Sequence, residues 1–327
     1  MVLLHKLKKQ IGYTKDLAGI VENSGNVAMA HYHAMKREGE HFYRFMDAYQ
    51  DIFGHINHHL LSLNERLDGL DDGFQNFMYR LTHSFTEIDS PLINLKSDVE
   101  CYILVTMDTG LMGGFGKTIV RKALEHNEEK EKPIHYVVVG ERGVLELGDD
   151  VTDFKFFKGY DRHDVDISQR VGEVRDYIFQ QTMKGNIGKS YIVSPYVESF
   201  LSIPRINIVN LLPCGLLDKT QDTVKSEATE QMLFESSPED TISLLVNQWL
   251  YLKLYISFKD TKLSEFLARF IQSSKGSNKL DERSTELDKS YRKAKGIHED
   301  NEAIARSTSA KNRQKKEAKR RKRLRDS

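Results

Sequence analysis

The chain has 327 residues, with 48 Lys and Arg against 48 Asp and Glu, so its formal net charge is zero. Charged residues make up 29%, mean hydropathy is −0.52, and no apolar run approaches the roughly 18 residues a membrane span needs. This excludes a membrane-spanning apolar helix. Two cysteines, Cys101 and Cys214, exclude a disulfide scaffold and read as thiols of a cytoplasmic protein.

The start, "MVLLHKLKKQ", lacks the apolar region and cleavage site of a signal peptide. All six prolines, from Pro91 to Pro238, lie in the middle of the chain. Proline costs about 3 kcal/mol inside a helix, so two proline-free arms around a proline-containing centre predict two long helices bracketing a globular domain. In the first arm, 1–90, apolar residues from Phe42 recur at steps of three and four: Phe45, Tyr49, Ile52, Ile56, Leu60, Leu63, Leu67, Leu70, Phe74, Phe77 and Leu81. That spacing is a coiled-coil seam. Leu7, Ile11, Ile20 and Val27 continue it more weakly, and Gly12, Gly19 and Gly25 count against a helix there. Such an arm, wholly helical as far as Leu81, would span about 120 Å.

The centre, 91–238, alternates apolar strand-like runs with helical patterns. The runs are "CYILVTMD" (101–108), "IHYVVVG" (134–140), "FKFFKGY" (154–160), "SYIVSPYV" (190–197) and "INIVNLL" (206–212), with helices expected at 115–128 and 167–184. This predicts a parallel or mostly parallel, Rossmann-like α/β sheet of ordinary domain size.

The second arm, 239–313, opens after Ser237-Pro238-Glu239-Asp240, a helix start with a cap, Pro in the first turn and acids after it. Its broad apolar face runs from Ile242 through Trp249 and Ile256 to Phe270 and Ile271. It then thins to Leu280, Leu287, Tyr291, Ala294 and Ile297, as suits an exposed rod on one partner. The fold class is therefore α/β plus coiled coil. The two ends form a long antiparallel two-helix coiled coil, and the α/β domain is inserted between them.

Residues 314–327 form a basic tail. From Lys311 to Ser327 ten Lys/Arg stand against Glu317 and Asp326, a net +8, which leaves −8 for residues 1–310. Lys315, Lys316, Lys319, Arg320, Arg321, Lys322 and Arg323 make it either a solvated end or a contact for an acidic partner, whether protein, nucleic acid or lipid headgroup.

The stretch "GLMGGFGKTIV" (110–120) imitates a phosphate-binding P-loop but fails its spacing. Gly, four residues, then Gly-Lys-Thr would require Gly at 111, which is Leu111. "DTG" at 108–110 lacks the second Asp and the all-β setting of an aspartic protease, and the further motifs of a phosphate-transferring enzyme are not evident around Asp108. His55, His58 and His59 share one helical turn, and read as solvated side chains rather than metal ligands. The glycines Gly110, Gly113 and Gly114 instead read as a tight strand-to-helix turn. Asp108 is expected to satisfy backbone N–H groups of that turn or to cap the helix that follows it.

This order of elements, with the run Thr106, Met107, Asp108, Thr109, Gly110, Leu111, Met112, Gly113, Gly114, Phe115, resembles the gamma subunit family of F-type ATP synthases. In that family the first strand ends in Ser/Thr-Asp-Arg-Gly-Leu-Cys-Gly-Gly. The family's C-terminal Tyr-Asn-Lys-Ala-Arg-Gln is matched by Tyr291, Lys293 and Ala294, with Lys295 and Gly296 at the Arg and Gln. Its N-terminal signature survives as Ile20 and Val27-Ala28. The resemblance covers residues 1 to about 313.

The resemblance implies a central rotor stalk with no catalytic residue, metal or cofactor of its own. ATP, ADP and Mg would sit on alpha- and beta-like subunits forming a hexameric ring around the coiled coil, and an epsilon-like small rotor subunit would meet the α/β domain. Rotation of the stalk would couple to ATP hydrolysis or synthesis, at the cytoplasmic face of a membrane or in the cytoplasm. The family's polar grip on the ring falls here on Glu22, Lys295 and Gly296; Lys does not replace a bidentate Arg, and Gly offers no side-chain bond. Those departures and the tail resemble the divergent F1-like ATPases of mycoplasmas, some linked to gliding motility. A separate reading of the same seam is a homodimeric coiled-coil adaptor whose basic tail binds nucleic acid or a partner.

Overall fold

The computed structural model describes residues 2–67, 95–108, 114–128, 132–148, 151, 153–160, 166–200, 202–213 and 238–325. They fall into two compact units: Met1–Val27 with Phe270–Ser327, and Ala28–Arg269.

The second unit is built on a five-stranded sheet. Strands β1 (Glu100–Val105), β2 (Ile134–Val139), β3 (Phe154–Phe157), β4 (Ser190–Tyr196) and β5 (Arg205–Leu212) lie in the order β3-β2-β1-β4-β5. All neighbours are parallel except β4 and β5. Central β1 is "ECYILV", buried at all six positions. A strand covered on both faces needs such an unbroken apolar run, because neither face meets water.

Alternate β1 residues serve two cores. Tyr102 and Leu104 join Val138 and the helix α2 (Phe115–Glu128) through Ile119, Val120 and Ala123. The short helix α3 (Glu141–Leu147) adds Leu147 to the same face. On the opposite face Cys101, Ile103 and Val105 pack with Val171, Val174 and Ile178 of α4 (Ile167–Met183). The spacing of those three residues is helical, and Asp166 starts α4 by accepting the Ser168 N–H at 3.1 Å.

The same core takes in Met46 and Tyr49 of α1 (Val2–Leu67) and Val246, Trp249, Leu250, Leu254 and Phe258 of α5 (Pro238–Arg325). Within this unit the two long helices run antiparallel. His31 stacks on Phe266 at 5.3 Å, Phe42 meets Tyr255 at 4.2 Å between ring centroids, and Tyr43 donates to Asp260 at 2.5 Å. From Ser257 to Ala268 every residue of α5 is buried, charged ones included, except Asp260, which is partly buried. Glu265 pairs with both Lys262 and Arg269, and Lys259 reaches Glu38 at 3.7 Å with its ammonium over the Phe42 ring. Paired, those charges avoid the full cost of leaving water.

In the first unit α1 and α5 are again antiparallel: Lys15 lies 3.9 Å from Asp288, Val21 against Gly276, and Gly25 against Ser273. The expected weakening around Gly12, Gly19 and Gly25 does not appear, since α1 is helical without a break from Val2 to Leu67. α5 likewise runs through Gly276, Gly296 and the basic segment to Arg325.

The seam differs in residue identity from the sequence expectation. Buried positions on α1 are Ala18, Gly25, Tyr32, Gly39 and Met46, spaced by sevens, with Ala28 and Tyr49 on the companion positions. Phe45, Ile20 and Val27, expected in the seam, are exposed. On α5 the buried positions of the first unit are Ser284 and Leu287, while Ile297 is exposed. At Gly25 the reason is close approach: a Cβ there would lie 3.0 Å from the Ser273 Cβ, so a larger side chain would hold the helices apart. Seam residues from Ile52 to Leu81 have side chains outside the described residues.

Candidate functional site

Three places carry the residues singled out above. The first is the C-terminal edge of β1, β2 and β3. Thr106 is buried; its hydroxyl donates to the Val139 carbonyl at 2.6 Å and accepts the Gly143 N–H at 2.9 Å. Asp108 Oδ1 accepts the Glu141 N–H at 2.8 Å and the Gly159 N–H at 3.1 Å. Asp108 thus caps α3 and ties the loop after β3.

The fit around this carboxylate is close. A Cβ on Gly159 would come within 2.5 Å of Asp108 Oδ2, and one on Gly140, at φ +94°, within 2.8 Å of the Thr106 backbone. Ligands of α/β sheets bind at such strand ends, but here two backbone amides occupy Asp108 Oδ1. Among the described residues no cluster of metal-ligating side chains exists. The arrangement is a structural clasp.

Gly114 adopts φ +89°, which only Gly takes without strain. Gly110 and Gly113 lie outside the described residues. Thr118 donates to the Gly114 carbonyl at 3.2 Å within the first turn of α2, and Lys117 is exposed. The side chains of His55, His58 and His59 also lie outside the described residues. Sequence reading named Thr106 without a role and missed the roles of Gly140, Gly143 and Gly159. Isolated glycines after apolar runs were the available signal.

The second place is the paired helices of the first unit. Glu22 is exposed. Lys295 is exposed and pairs only within its own helix, 3.5 Å from Glu299, and a Cβ on Gly296 would meet nothing within 4 Å. The structure does not bring them together. Val21 faces Gly276, so Lys295 lies roughly 28 Å farther along α5 at 1.5 Å per residue. Exposed Tyr13, Leu17, Ile20 and Val27 on α1, and Ile297 and Ile304 on α5, add apolar surface to this unit.

The third place is the basic segment. Every residue from 301 to 318 is exposed, Lys315 and Lys316 among them. Lys319, Arg320, Arg321, Lys322 and Arg323 continue the helix, their side chains outside the described residues. In the second unit the Cys101 thiol is free and fully buried, and burial pushes its pKa well above the usual thiol range.

A family model described as ATP synthase matches residues 3–296. Among curated proteins the chain is similar to the ATP synthase gamma chain of Alkaliphilus metalliredigens, 26% identical over 169 residues, covering 50% of this chain and 56% of that one. That of Aquifex aeolicus is 26% identical over 197 residues, covering 58% and 64%. That of Symbiobacterium thermophilum is 24% identical over 235 residues, covering 66% and 74%. The chain thus spans little more than half the length of the first of these relatives. Among solved structures it is similar in fold to a chain of the Euglena gracilis mitochondrial ATP synthase in its OSCP/F1/c-ring structure (TM-score 0.54, 15% identity, 94% of each chain). A chain in the rotor structure of the same enzyme gives a TM-score of 0.51 at 14% identity, over 90% of this chain and 98% of that one.

Proposed function

The chain belongs to the ATP synthase gamma family, and from that premise we propose that it is the central rotor stalk of a rotary ATPase, itself non-catalytic. The observation that carries the reading is the antiparallel pairing of the two ends of the chain in the first unit, within a chain matched to that family over residues 3–296.

In this reading alpha- and beta-like subunits form a hexameric ring around the helix pair and hold ATP or ADP with Mg. The pair presents unlike faces: apolar Tyr13, Leu17 and Ile20 at one azimuth, charged and small residues at others. Each nucleotide state of a ring subunit then favours a different shaft angle, and sequential hydrolysis shifts the population of angles in one direction. Continuous helices suit a part that transmits torque, because each backbone hydrogen bond supports the next. The sheet unit serves as the head that meets a small epsilon-like subunit and the load, at the cytoplasmic face of a membrane. The family's gripping residues are replaced here by Glu22, Lys295 and Gly296, which supports a load other than ATP synthesis, such as gliding motility in an F1-like machine. The homodimeric adaptor is not favoured, because the described seam of α1 is buried by this chain's own α5.

Affinity isolation from the native cell tests the reading. One copy of this chain with three copies each of two nucleotide-binding subunits, and ATP hydrolysis, is expected. A homodimer without such subunits contradicts it.

A further inference from the structure

The basic segment of α5 lies beyond the residues matched to the family and has no role in the reading above. Its ten cations between Lys311 and Arg325 do not share a face. At roughly 100° per residue they fall in every quadrant of the helix. Among the described residues, Lys311, Arg313, Lys315 and Lys316 form no ion pair within the chain.

Three features narrow the partner. Between 311 and 325 the apolar residues are Ala318 and Leu324 alone, so there is no apolar face to enter a lipid interface. There is no aromatic residue on which a base could stack. A flat anionic surface, whether bilayer or duplex groove, engages one side of a helix and would leave the remaining cations unused. Half of the cations are Arg, whose planar fork matches carboxylates two bonds at a time.

We propose that residues 311–325 are enclosed by an acidic protein collar, whose Asp and Glu side chains surround the helix. With charge on every face, the attraction changes little as the helix turns about its own axis. Resting on the rotor reading, the segment then acts as an electrostatic bearing that holds this part of the shaft without locking its angle.

Zero-length carbodiimide cross-linking of the complex, isolated at low salt, tests this. It joins Lys amines only to carboxylates in direct contact. Lys315 and Lys316 sit on faces about 100° apart. Both are expected to link to Asp or Glu of the same acidic partner. Yield should fall at least about tenfold between roughly 50 and 300 mM salt. The links should vanish in a variant carrying K319Q, R320Q, R321Q, K322Q and R323Q, and persist when R320K, R321K and R323K keep the charge. Links confined to this chain, or to one of the two lysines, overturn the proposal. So does retention of the segment only by nuclease-sensitive nucleic acid or by anionic phosphatidylserine vesicles. The rotor reading is judged separately, because the Gln variant should keep the ring subunits in unchanged ratio. Loss of the ring from the unmodified complex would count against that reading, while the cross-links would still decide the collar.

Discussion

Asp260 is the residue whose environment is most at odds with its charge. Its carboxyl is pushed up to about 6, first by burial, with the Tyr43 hydrogen bond pulling partly the other way. The native state therefore binds this proton more readily than the unfolded chain. Stability contributed by the neutral acid is present below about pH 4 and is lost as pH rises through about 6. Asp260→Asn keeps an acceptor for Tyr43 and removes the charge. It should raise stability by about 2 kcal/mol at pH 7 and by almost nothing near pH 4, as denaturant titrations at the two pH values would show. Asp108 makes the opposite case, since two amides depend on its Oδ1. Asp108→Ala should cost about 2 kcal/mol and Asp108→Asn much less, read from denaturation midpoints. Two glycines of α1 separate packing from propensity. A Cβ at Gly25 would lie 3.0 Å from the Ser273 Cβ, whereas one at Gly12 meets nothing within 4 Å. Gly12→Ala should stabilise by about 0.5–1 kcal/mol. Gly25→Leu should lower the melting temperature by several degrees, because the helices must separate to admit it.

At the scale of elements, proline distribution and apolar runs made the architecture legible. Strands β1 to β5 and helices α2 and α4 lie within a few residues of where apolar runs, for the strands, and helical patterns, for the helices, placed them. The seam was less legible. Counting large apolar residues led to Phe45, Ile20 and Val27, which face outward, and passed over Ala18, Gly25, Ala28 and Gly39. Large residues mark a seam only where the helices stand at ordinary distance. Where backbones approach closely, glycine and alanine take the buried positions, and glycine is otherwise read as a helix breaker. The clasp at the strand ends was half legible. Asp108 stood out, but its partners Glu141 and Gly159 are 33 and 51 residues away, and only the parallel register of β1, β2 and β3 brings them together.

At the scale of the whole molecule the two units divide the work. The sheet unit has a core on both faces of β1 and a buried, paired set of charges on α5. Among the described residues the other unit is a helix pair with few buried side chains and much exposed surface. The family match and this division support a part that turns inside a ring. Rotation itself is the most direct test. The ring would be fixed to a surface and a bead attached to the sheet unit through a cysteine replacing exposed Lys189, with Cys214→Ser to leave buried Cys101 as the other thiol. With ATP present, the account predicts sustained rotation in one direction, pausing at three angles per turn. A ring that hydrolyses ATP while the bead shows only undirected Brownian motion would contradict it.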